Sequence, residues 1–319
     1  MRHFLRDDDL TPVEQAEVLA RAAVLKAAPF SDRSLEGPQV VTILFDKPTL
    51  RTQVSFVAAV VHLGGQAMTV DGNLAKVGVR ESIADVARVL GRQSAAVVWR
   101  TFGHDRIEEM AAYAGVPVVN ALTDDYHPCQ ILADLLTIQE HKGALAGLTV
   151  GYVGDGGNNM AHSYLLGCAL AGIHIRIGTP TAHQPKAEIA ERAVAIARQT
   201  AGSVLITDDP VAAVMGADVV ITDTWVSMGM ESEKDERQGE HSPFEKYSVT
   251  PELMDLADPK AIFLHCLPAY RGFEVAAEVI DGPQSVVWDE AENRLHAQKA
   301  IISFLLEKSG PSASHAGTV

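Results

Sequence analysis

The chain reads VVTILF at 40–45, PTLRTQ at 48–53 and SFVAAV at 55–60. The apolar run predicts a buried parallel strand, and 55–60 predicts a helix that begins at the Thr/Arg/Thr residues before it. The start of a helix offers unpaired backbone N–H groups and the positive end of a dipole, so it is a ready anion site. Arg51 adds a planar, permanently charged group that suits a phosphate. The stretch predicts a strand, a phosphate-binding loop and a helix; taken alone, it also fits an ordinary capped helix with a surface arginine.

The composition limits the class of protein. A length of 319 residues suits two domains, and 47% hydrophobic with 21% charged residues is typical of a soluble globular protein. The net charge of −15 argues against a nucleic-acid partner, since phosphate backbones attract basic surfaces. No apolar run reaches membrane-spanning length, and the N-terminus lacks a secretory apolar segment. Cys129, Cys168 and Cys266 form neither a disulfide framework nor a metal-ligand pattern, so we expect a cytoplasmic protein with no metal, cofactor or membrane partner.

Strand-like and helical segments alternate along the chain. Strands are predicted at 40–45, 65–70, 95–100, 116–120, 148–154, 174–178, 203–207, 219–222, 261–265 and 286–288. Helices are predicted at 11–27, 81–93, 105–114, 128–142 and 291–308. The alternation predicts an α/β protein with two doubly wound parallel-sheet domains.

The same pattern predicts where the domains divide. We expect a first domain at 1–133, a second at 134–290, a terminal helix at 291–308 that returns to the first domain, and a disordered tail at 309–319. The charged, glycine-bearing stretch 230–246 predicts a mobile loop, because it is too long for a tight turn between strands.

Polar residues follow many of the predicted strands, where ligands bind in parallel α/β sheets. In the first half these residues are cations and neutral donors: Arg51, Thr52, Arg100, His127 and Gln130. In the second half they are Asp223, Ser227 and Cys266. The residue types suit an anion bound in the first half and an amine bound in the second.

Two other interpretations of these motifs fail on their chemistry. The glycines of 154–159 (GDGGNN) do not fit the G-x-G-x-x-G pattern, and no acidic residue is placed for a ribose, so no NAD site is expected. Cys266 has no base placed to activate it, so we expect no covalent nucleophile there.

Taken together and in order, the motifs resemble those of the aspartate/ornithine carbamoyltransferase family. They lie at 49–53, 78–82, 99–101, 127–130, 155–159, 223–229 and 265–268, and the resemblance extends from the opening helix to about Arg294. The resemblance implies two domains with the active site in the cleft between them. It also implies a reaction: carbamoyl transfer from carbamoyl phosphate to the δ-amine of L-ornithine, which gives phosphate and citrulline for arginine biosynthesis.

The resemblance also implies a role for each site residue. Thr52, Arg100, His127 and Cys266 would be catalytic. Carbamoyl phosphate would bind to Thr49, Leu50, Arg51, Thr52, Arg100, His127, Gln130, Cys266, Leu267 and Arg294, and to Arg80 of a neighbouring subunit in a homotrimer or an assembly of trimers. Ornithine would bind to Asn159, Asp223, Ser227 and Met228.

Two positions depart from the family pattern, and two other functions remain open. Gln53 stands where the family usually has a second arginine, and Tyr270 replaces a common histidine. One alternative is a carbamoyltransferase for another amine, such as N-acyl-ornithine, putrescine or aspartate. The other is a non-catalytic regulatory paralogue that binds a metabolite, for which Gln53 is the only support.

Overall fold

A computed structural model describes residues 1–47, 49–227, 230–239 and 241–310, without the side chains of Asn73, Leu74 and Glu231. The chain divides into two compact units. Unit 1 comprises Met1–Leu132 and the chain from Asn293 onward, and unit 2 comprises Ala133–Glu292. None of the described helices is long and apolar enough to cross a membrane.

Unit 1 is built on a parallel sheet with the strand order β2-β1-β3-β4. The strands are β1 (Val40–Phe45), β2 (Gln66–Asp71), β3 (Ala96–Arg100) and β4 (Val118–Leu122). The helices are α1 (Pro12–Ala27), α2 (Arg51–His62), α3 (Gly72–Ala75), α4 (Ile83–Gln93) and α5 (His104–Ala114), with a 3₁₀ turn at Asp7–Asp9. The boundary at Leu132 falls within the next helix, α6 (Pro128–Lys142).

Unit 2 is built on a second parallel sheet, with the order β7-β6-β5-β8-β9. The strands are β5 (Thr149–Val153), β6 (His174–Gly178), β7 (Ser203–Thr207), β8 (Val219–Ile221) and β9 (Ile262–Leu264). The helices are α7 (Asn159–Leu170), α8 (Ala187–Thr200), α9 (Pro210–Val214), α10 (Lys234–Gln238), α11 (Pro251–Met254), α12 (Ala277–Ile280) and α13 (Val287–Ser309), with 3₁₀ turns at Thr181–His183, Glu231–Glu233 and Glu245–Tyr247. The second boundary, at Asn293, falls within α13.

Local sequence signals fix where several helices begin. The Thr11 hydroxyl accepts from the Glu14 N–H group and Glu14 bonds back to the Thr11 N–H group, which is a capping box. Ser82 caps α4, and Asn158 caps α7 through the Ala161 N–H group. These caps satisfy N–H groups that have no partner inside the helix.

The register of the strands brings the site segments to one edge of each sheet. In unit 1, Phe45 of β1 pairs with Asp71 of β2 and with Arg100 of β3. In unit 2, Ile221 of β8 pairs with Leu264 of β9. The segments that leave these strands therefore start side by side.

The predicted α/β architecture with two parallel sheets is confirmed. The strand predicted at 286–288 is wrong. The Val286 N–H group donates to Phe263 of β9, but Glu290 N–H already donates to Val286 O and α13 starts at Val287. A three-residue apolar run does not distinguish a strand from the start of a helix, and the acidic residues Asp289 and Glu290 in the first turn favour the helix. The 230–246 stretch, predicted as a loop, contains short helical turns and α10 in its described part.

Candidate active site

The segment between β1 and α2 forms the start of an anion site in unit 1. Leu50 occupies the N-cap position of α2, makes no side-chain cap and is 73% exposed, so only its backbone is suited to hold a ligand. No acidic side chain lies in the first turn of α2. Arg51 is half-buried, and within the described part of the chain its side chain has no hydrogen-bond or ion-pair partner. A free cation beside unpaired N–H groups is a suitable phosphate site.

Four buried side chains from distant parts of the chain meet beside this helix start. The Thr52 hydroxyl oxygen accepts from Arg294 Nη2 at 2.7 Å and lies 3.5 Å from Arg100 Nη1. Arg294 Nη1 donates to Gln130 Oε1. All four residues are at most 4% exposed. The structure thus brings together Thr52, Arg100, Gln130 and Arg294, and Arg294 reaches the network from the last helix of the chain.

The Thr52 hydroxyl accepts from at least one arginine. A hydroxyl has one O–H donor and two acceptor lone pairs. Since the oxygen accepts from Arg294 and an arginine cannot accept in return, the Thr52 proton is available for another acceptor. Thr52 is therefore suited to donate to a ligand.

His127 lies immediately before α6 and is buried. Its pKa is held well below the usual value, first by burial and then by the charges of Arg294 and Arg100. The ring is neutral at neutral pH. It can donate or accept a hydrogen bond there without adding a third positive charge to the network.

Two further cations of unit 1 lie near this edge of the sheet. Lys47 lies in the segment between β1 and α2, is 6% exposed and pairs with Asp124, and its Nζ lies 5.0 Å from the Phe102 ring centroid. Sequence reasoning missed it, since a lysine beside a proline carries no signal of burial. Arg80 is exposed on the segment that follows β2, and its action on a neighbouring subunit stays a prediction.

Unit 2 places a buried carboxylate in the corresponding position. Asp223 and Cys266 each lie two residues beyond paired ends of β8 and β9. Cys266 Sγ donates to Asp223 Oδ1 at 3.2 Å, and Asn158 Nδ2 lies 3.4 Å from Asp223 Oδ2. Burial raises the pKa of Asp223. A buried carboxylate with no cation among these partners is suited to bind an ammonium group.

The Cys266 thiol is a donor rather than a nucleophile. Burial, and after it the negative charges of Asp223, Glu290 and Asp134, raise its pKa well above the usual value. The thiol is therefore protonated at neutral pH, and the thiolate that covalent catalysis needs is not formed.

The backbone at Cys266 and Leu267 is held by a buried polar chain. The Leu267 N–H group donates to His265 Nδ1 at 2.9 Å, and His265 Nε2 lies 3.4 Å from Glu274 Oε1. Glu290 accepts from the His265 N–H group at 2.8 Å. The φ of Leu267 is +59°, so this turn has an unusual conformation that the surrounding contacts maintain.

The donor atoms of Asp223, His265 and Cys266 lie within 4.8 Å of one another, as in a metal site. Asp223 and Cys266 were predicted site residues, whereas His265 was not. His265 Nδ1 already accepts from the Leu267 N–H group, and Cys266 Sγ already donates to Asp223 Oδ1. The three groups therefore form part of a hydrogen-bond network in this structure.

Arg237 is a second residue that sequence reasoning missed. It lies in α10 with its side chain buried, and Nη1 donates to Asp155 Oδ2 at 2.7 Å and to Trp225 O at 3.0 Å. Asp155 Oδ1 accepts from the Gly157 N–H group at 2.9 Å. Arg237 therefore ties the glycine-rich turn before α7 to the segment that follows β8.

The predicted ornithine-binding residues lie in several segments of unit 2. Asn158, the neighbour of the predicted Asn159, has its Nδ2 atom 3.4 Å from Asp223 Oδ2. Asn159 is half-buried in the first turn of α7, and Ser227 is half-buried beyond β8. Met228 lies outside the described residues. The site assignments drawn from the resemblance stay predictions.

Comparison with known proteins supports this division into two half-sites. Residues 2–140 match the carbamoyl-P binding domain of aspartate/ornithine carbamoyltransferases, and residues 146–305 match their Asp/Orn binding domain. An ornithine carbamoyltransferase of Clavibacter sepedonicus is 60% identical over 308 residues, which cover 97% of this chain and 99% of that protein.

Solved structures are similar over the same extent. The ornithine carbamoyltransferase from Pyrococcus furiosus has a TM-score of 0.91 and 42% identity, with 96% of this chain and 97% of that chain covered. An acetylornithine transcarbamylase complexed with acetylcitrulline has a TM-score of 0.86 and 29% identity, with 96% and 99% covered. The chain belongs to the aspartate/ornithine carbamoyltransferase family.

Proposed function

We propose that this protein transfers the carbamoyl group of carbamoyl phosphate to the δ-amine of L-ornithine and releases L-citrulline and phosphate, as a step of arginine biosynthesis. One observation carries the proposal: Thr52, Arg100, Gln130 and Arg294 meet at the start of α2, where a phosphate would bind. The names and high identity of the relatives support the same reaction.

The first half-site suits carbamoyl phosphate. The phosphate binds the N–H groups at the start of α2 together with Arg51 and Arg100, and its negative charges offset theirs. The Thr52 hydroxyl, Arg100 and neutral His127 donate to the carbamoyl carbonyl oxygen, and Gln130 holds the carbamoyl group. Arg294 positions both Thr52 and Gln130, since it bonds to each of them.

The reaction needs no covalent intermediate. The neutral δ-amine attacks the carbonyl carbon, and an oxyanion develops on the carbonyl oxygen. Donors already in place for that charge lower the barrier because they need not reorganise. The C–O bond to phosphate then breaks, and the departing phosphate accepts the amine proton. Holding both substrates in register supplies up to about 7–11 kcal/mol of the barrier reduction in ideal cases.

The second half-site favours a free amino acid over the other acceptors. The Asp223 carboxylate pairs with the α-ammonium group of ornithine. Acylation of that nitrogen would remove the charge and leave a buried carboxylate without a cation, which is costly. Aspartate would bring a further carboxylate toward Asp223, and the electrostatic repulsion disfavours it. The protonated Cys266 thiol, bonded to Asp223, lies beside the reacting amine.

We further propose that the chain assembles into homotrimers or larger assemblies. The outer face of α2 has apolar residues at helical spacing, with Leu50 73%, Val54 60% and Val61 54% exposed. Met68 of the neighbouring edge strand β2 is also exposed. Contiguous apolar surface of this kind is typical of a protein interface. Light scattering should give a mass near a multiple of three chains, and a monomer would exclude the assembly.

All three cysteines are free, which suits a reducing compartment, and a cytoplasmic location is part of the proposal. Fractionation of the source cells, followed by immunoblotting, should recover the protein with cytoplasmic markers.

The function is tested by product formation from each candidate acceptor. Purified protein is incubated with carbamoyl phosphate and, in separate reactions, ornithine, N-acetyl-ornithine, putrescine or aspartate. We expect citrulline from ornithine, with kcat/KM for the other amines lower by at least about 100-fold, the cost of an unpaired buried charge. Transfer to another amine at equal efficiency would redirect the assignment. No product from any amine, with carbamoyl phosphate still bound in calorimetry, would favour the regulatory paralogue.

A further inference from the structure

A second buried network lies at the same edge of the unit 1 sheet, outside the residues assigned to the substrates. Arg106 of α5 is its centre. Arg106 Nε donates to Thr101 Oγ1 at 3.0 Å, and Nη2 donates to Val77 O at 2.8 Å and lies 3.5 Å from Asp46 Oδ2. Thr101 Oγ1 in turn donates to Asp46 Oδ2 at 2.6 Å.

The residues around Arg106 come from three segments that leave adjacent strands. Asp46 follows β1 and lies just before the phosphate-binding segment. Thr101 follows β3 and is the neighbour of Arg100. Val77 lies in 72–82, the segment after β2 that bears Arg80. One guanidinium group, which has five donors in a fixed plane, therefore contacts segments that follow three different strands.

The partners of Arg106 are buried, and its own side chain is 23% exposed. Asp46 is 7% exposed and Thr101 is fully buried. The Arg106 guanidinium carbon lies 5.2 Å from the ring centroid of the fully buried Trp99. A cation held over an aromatic face and bonded to a carboxylate has little freedom to move, so whatever it bonds to is also held in place.

Two glycines of the 72–82 segment show how closely the chain passes this network. A Cβ atom at Gly72 would lie 1.8 Å from Asp46 Oδ1. A Cβ atom at Gly78, whose φ is +76°, would lie 2.9 Å from Arg106 Nη1. Neither position admits a side chain without a shift of the network. The segment therefore packs closely against Asp46 at Gly72 and against Arg106 at Gly78.

The part of the segment beyond Gly78 carries an exposed cation. Gly78 N–H donates to Glu81 O and Arg80 N–H donates to Lys76 O, so Arg80 lies on a compact turn. The turn rests on the Val77 carbonyl bond to Arg106. Loss of that bond frees the turn and, with it, the direction of the Arg80 side chain.

We propose that Arg106 is a positioning residue for carbamoyl phosphate binding, which it supports by holding the turn that presents Arg80 to the phosphate of a neighbouring subunit. The inference rests on the proposed function, because it assumes that the phosphate is the ligand of Arg80. Arg106 itself does not touch the substrate. Its effect therefore passes through Arg80 and should disappear when Arg80 is absent.

A double-mutant cycle tests this dependence. The variants are Arg106→Met, Arg80→Ala and the pair, with Arg92→Met, an exposed arginine of α4, as the control. Arg106→Met and Arg80→Ala should each raise KM for carbamoyl phosphate about 10-fold, the scale of one charged hydrogen bond. KM for ornithine should change less than twofold. The pair should match Arg80→Ala alone, and Arg106→Lys should retain part of the wild-type affinity.

Each outcome decides for or against the role. If the increases in KM of the two single variants multiply in the double variant, the proposal is wrong, because Arg106 then acts independently of Arg80. An Arg106→Met variant that is less thermostable but has wild-type KM would also overturn it. Calorimetry of carbamoyl phosphate binding to the same variants repeats the cycle without turnover. If wild-type protein forms no citrulline, the proposed function fails, while the calorimetric cycle still decides whether Arg106 acts through Arg80.

Discussion

The two half-sites are electrostatic opposites. In unit 1, buried Arg100 and Arg294 bond to the neutral oxygens of Thr52 and Gln130, and burial together with the two positive charges lowers the pKa of His127. In unit 2, burial together with the negative charges of Asp223 and its acidic surroundings raises the pKa of the Cys266 thiol.

The difference shows what each half-site is prepared to receive. Burying a charge is costly unless a charge of opposite sign comes close. The charges suit the unit 1 site to a dianion and the unit 2 site to a cation. We therefore expect the binding of the two substrates to depend strongly on the buried residues named above.

The largest effect is expected from removing a cation of unit 1. Arg100→Met should lower kcat about 100- to 1,000-fold, since Arg100 contributes both to phosphate binding and to the donors for the oxyanion. The measurement is citrulline formation at saturating substrates. The matched control is Arg92→Met in the same unit, which should retain wild-type kcat. A kcat within threefold of wild type in Arg100→Met would contradict the assignment.

The next effect is expected from neutralising the carboxylate of unit 2. Asp223→Asn should lower kcat/KM for ornithine about 100-fold, and calorimetry should show unchanged affinity for carbamoyl phosphate. The stability of the ligand-free fold should increase, although activity falls. Because the pKa of Asp223 is raised, the folded state takes up a proton more readily than the unfolded state, and the ionised carboxylate destabilises the fold at neutral pH.

Asp223→Asn should therefore raise the Tm of the ligand-free protein at pH 7. The exposed Asp255→Asn is the control and should alter neither Tm nor kinetics. A lower Tm of Asp223→Asn would show that the ionised carboxylate stabilises the ligand-free fold. That result would contradict the electrostatic contrast between the two half-sites.

A smaller effect is expected from the arginine that holds the unit 2 segments together. Arg237→Met should raise KM for ornithine about 10-fold, because Asp155 and Trp225 lose the group that fixes the turn before α7 relative to the segment after β8. It should also destabilise the protein by about 3 kcal/mol, since it leaves the buried Asp155 carboxylate unpaired. Kinetics and chemical denaturation measure the two effects.

Arg198→Met, an exposed arginine at the end of α8, is the matched control for that variant. Equal increases in KM for both substrates in Arg237→Met would show a general loss of structure and not a specific effect on the ornithine half-site.

The smallest effect concerns the pH dependence of stability. The folded pKa of His127 lies below its unfolded value of about 6.5, so only the unfolded state gains a proton as the pH falls through that value. His127 therefore stabilises the fold fully above about pH 6.5, and this contribution is lost on acidification. One additional proton bound by the unfolded state can lower the free energy of unfolding by at most about 1.4 kcal/mol per pH unit.

Denaturation of wild type and His127→Asn at pH 7.5 and pH 5.5 measures this contribution. The variant should lose less stability than wild type between the two values. The control is His241→Asn, which exchanges an exposed histidine of positive φ for a residue that tolerates this conformation, and it should follow wild type. If His127→Asn and wild type lose the same stability between pH 7.5 and pH 5.5, His127 is not the source of the pH dependence.

Much of this architecture could be predicted from the sequence because local patterns carry it. Apolar runs and capping residues fixed β1, α1 and the start of α2 to within a residue or two. The polar residues that follow the predicted strands then indicated two groups of site residues, one that contains Arg100 and one that contains Asp223. The same reasoning failed at 286–288, where three apolar residues fit either kind of element.

The missed residues share a cause. Arg106 bonds to Val77, 29 residues away, and Arg237 bonds to Asp155, 82 residues away, and no local pattern indicates such contacts. The approach of Asn158 to Asp223 spans 65 residues of the chain and is likewise absent from any local pattern. Arg294 was assigned through the family resemblance alone.

The last long helix has a consequence for synthesis. Arg294 is encoded near the end of the chain, yet its bonds are to Thr52 and Gln130, which leave the ribosome long before it. Unit 2 is one continuous stretch and can be complete while the helix that finishes unit 1 is still being translated. A ribosome that stops shortly before codon 293 would release a chain with an intact acceptor half and a donor half that lacks its central cation.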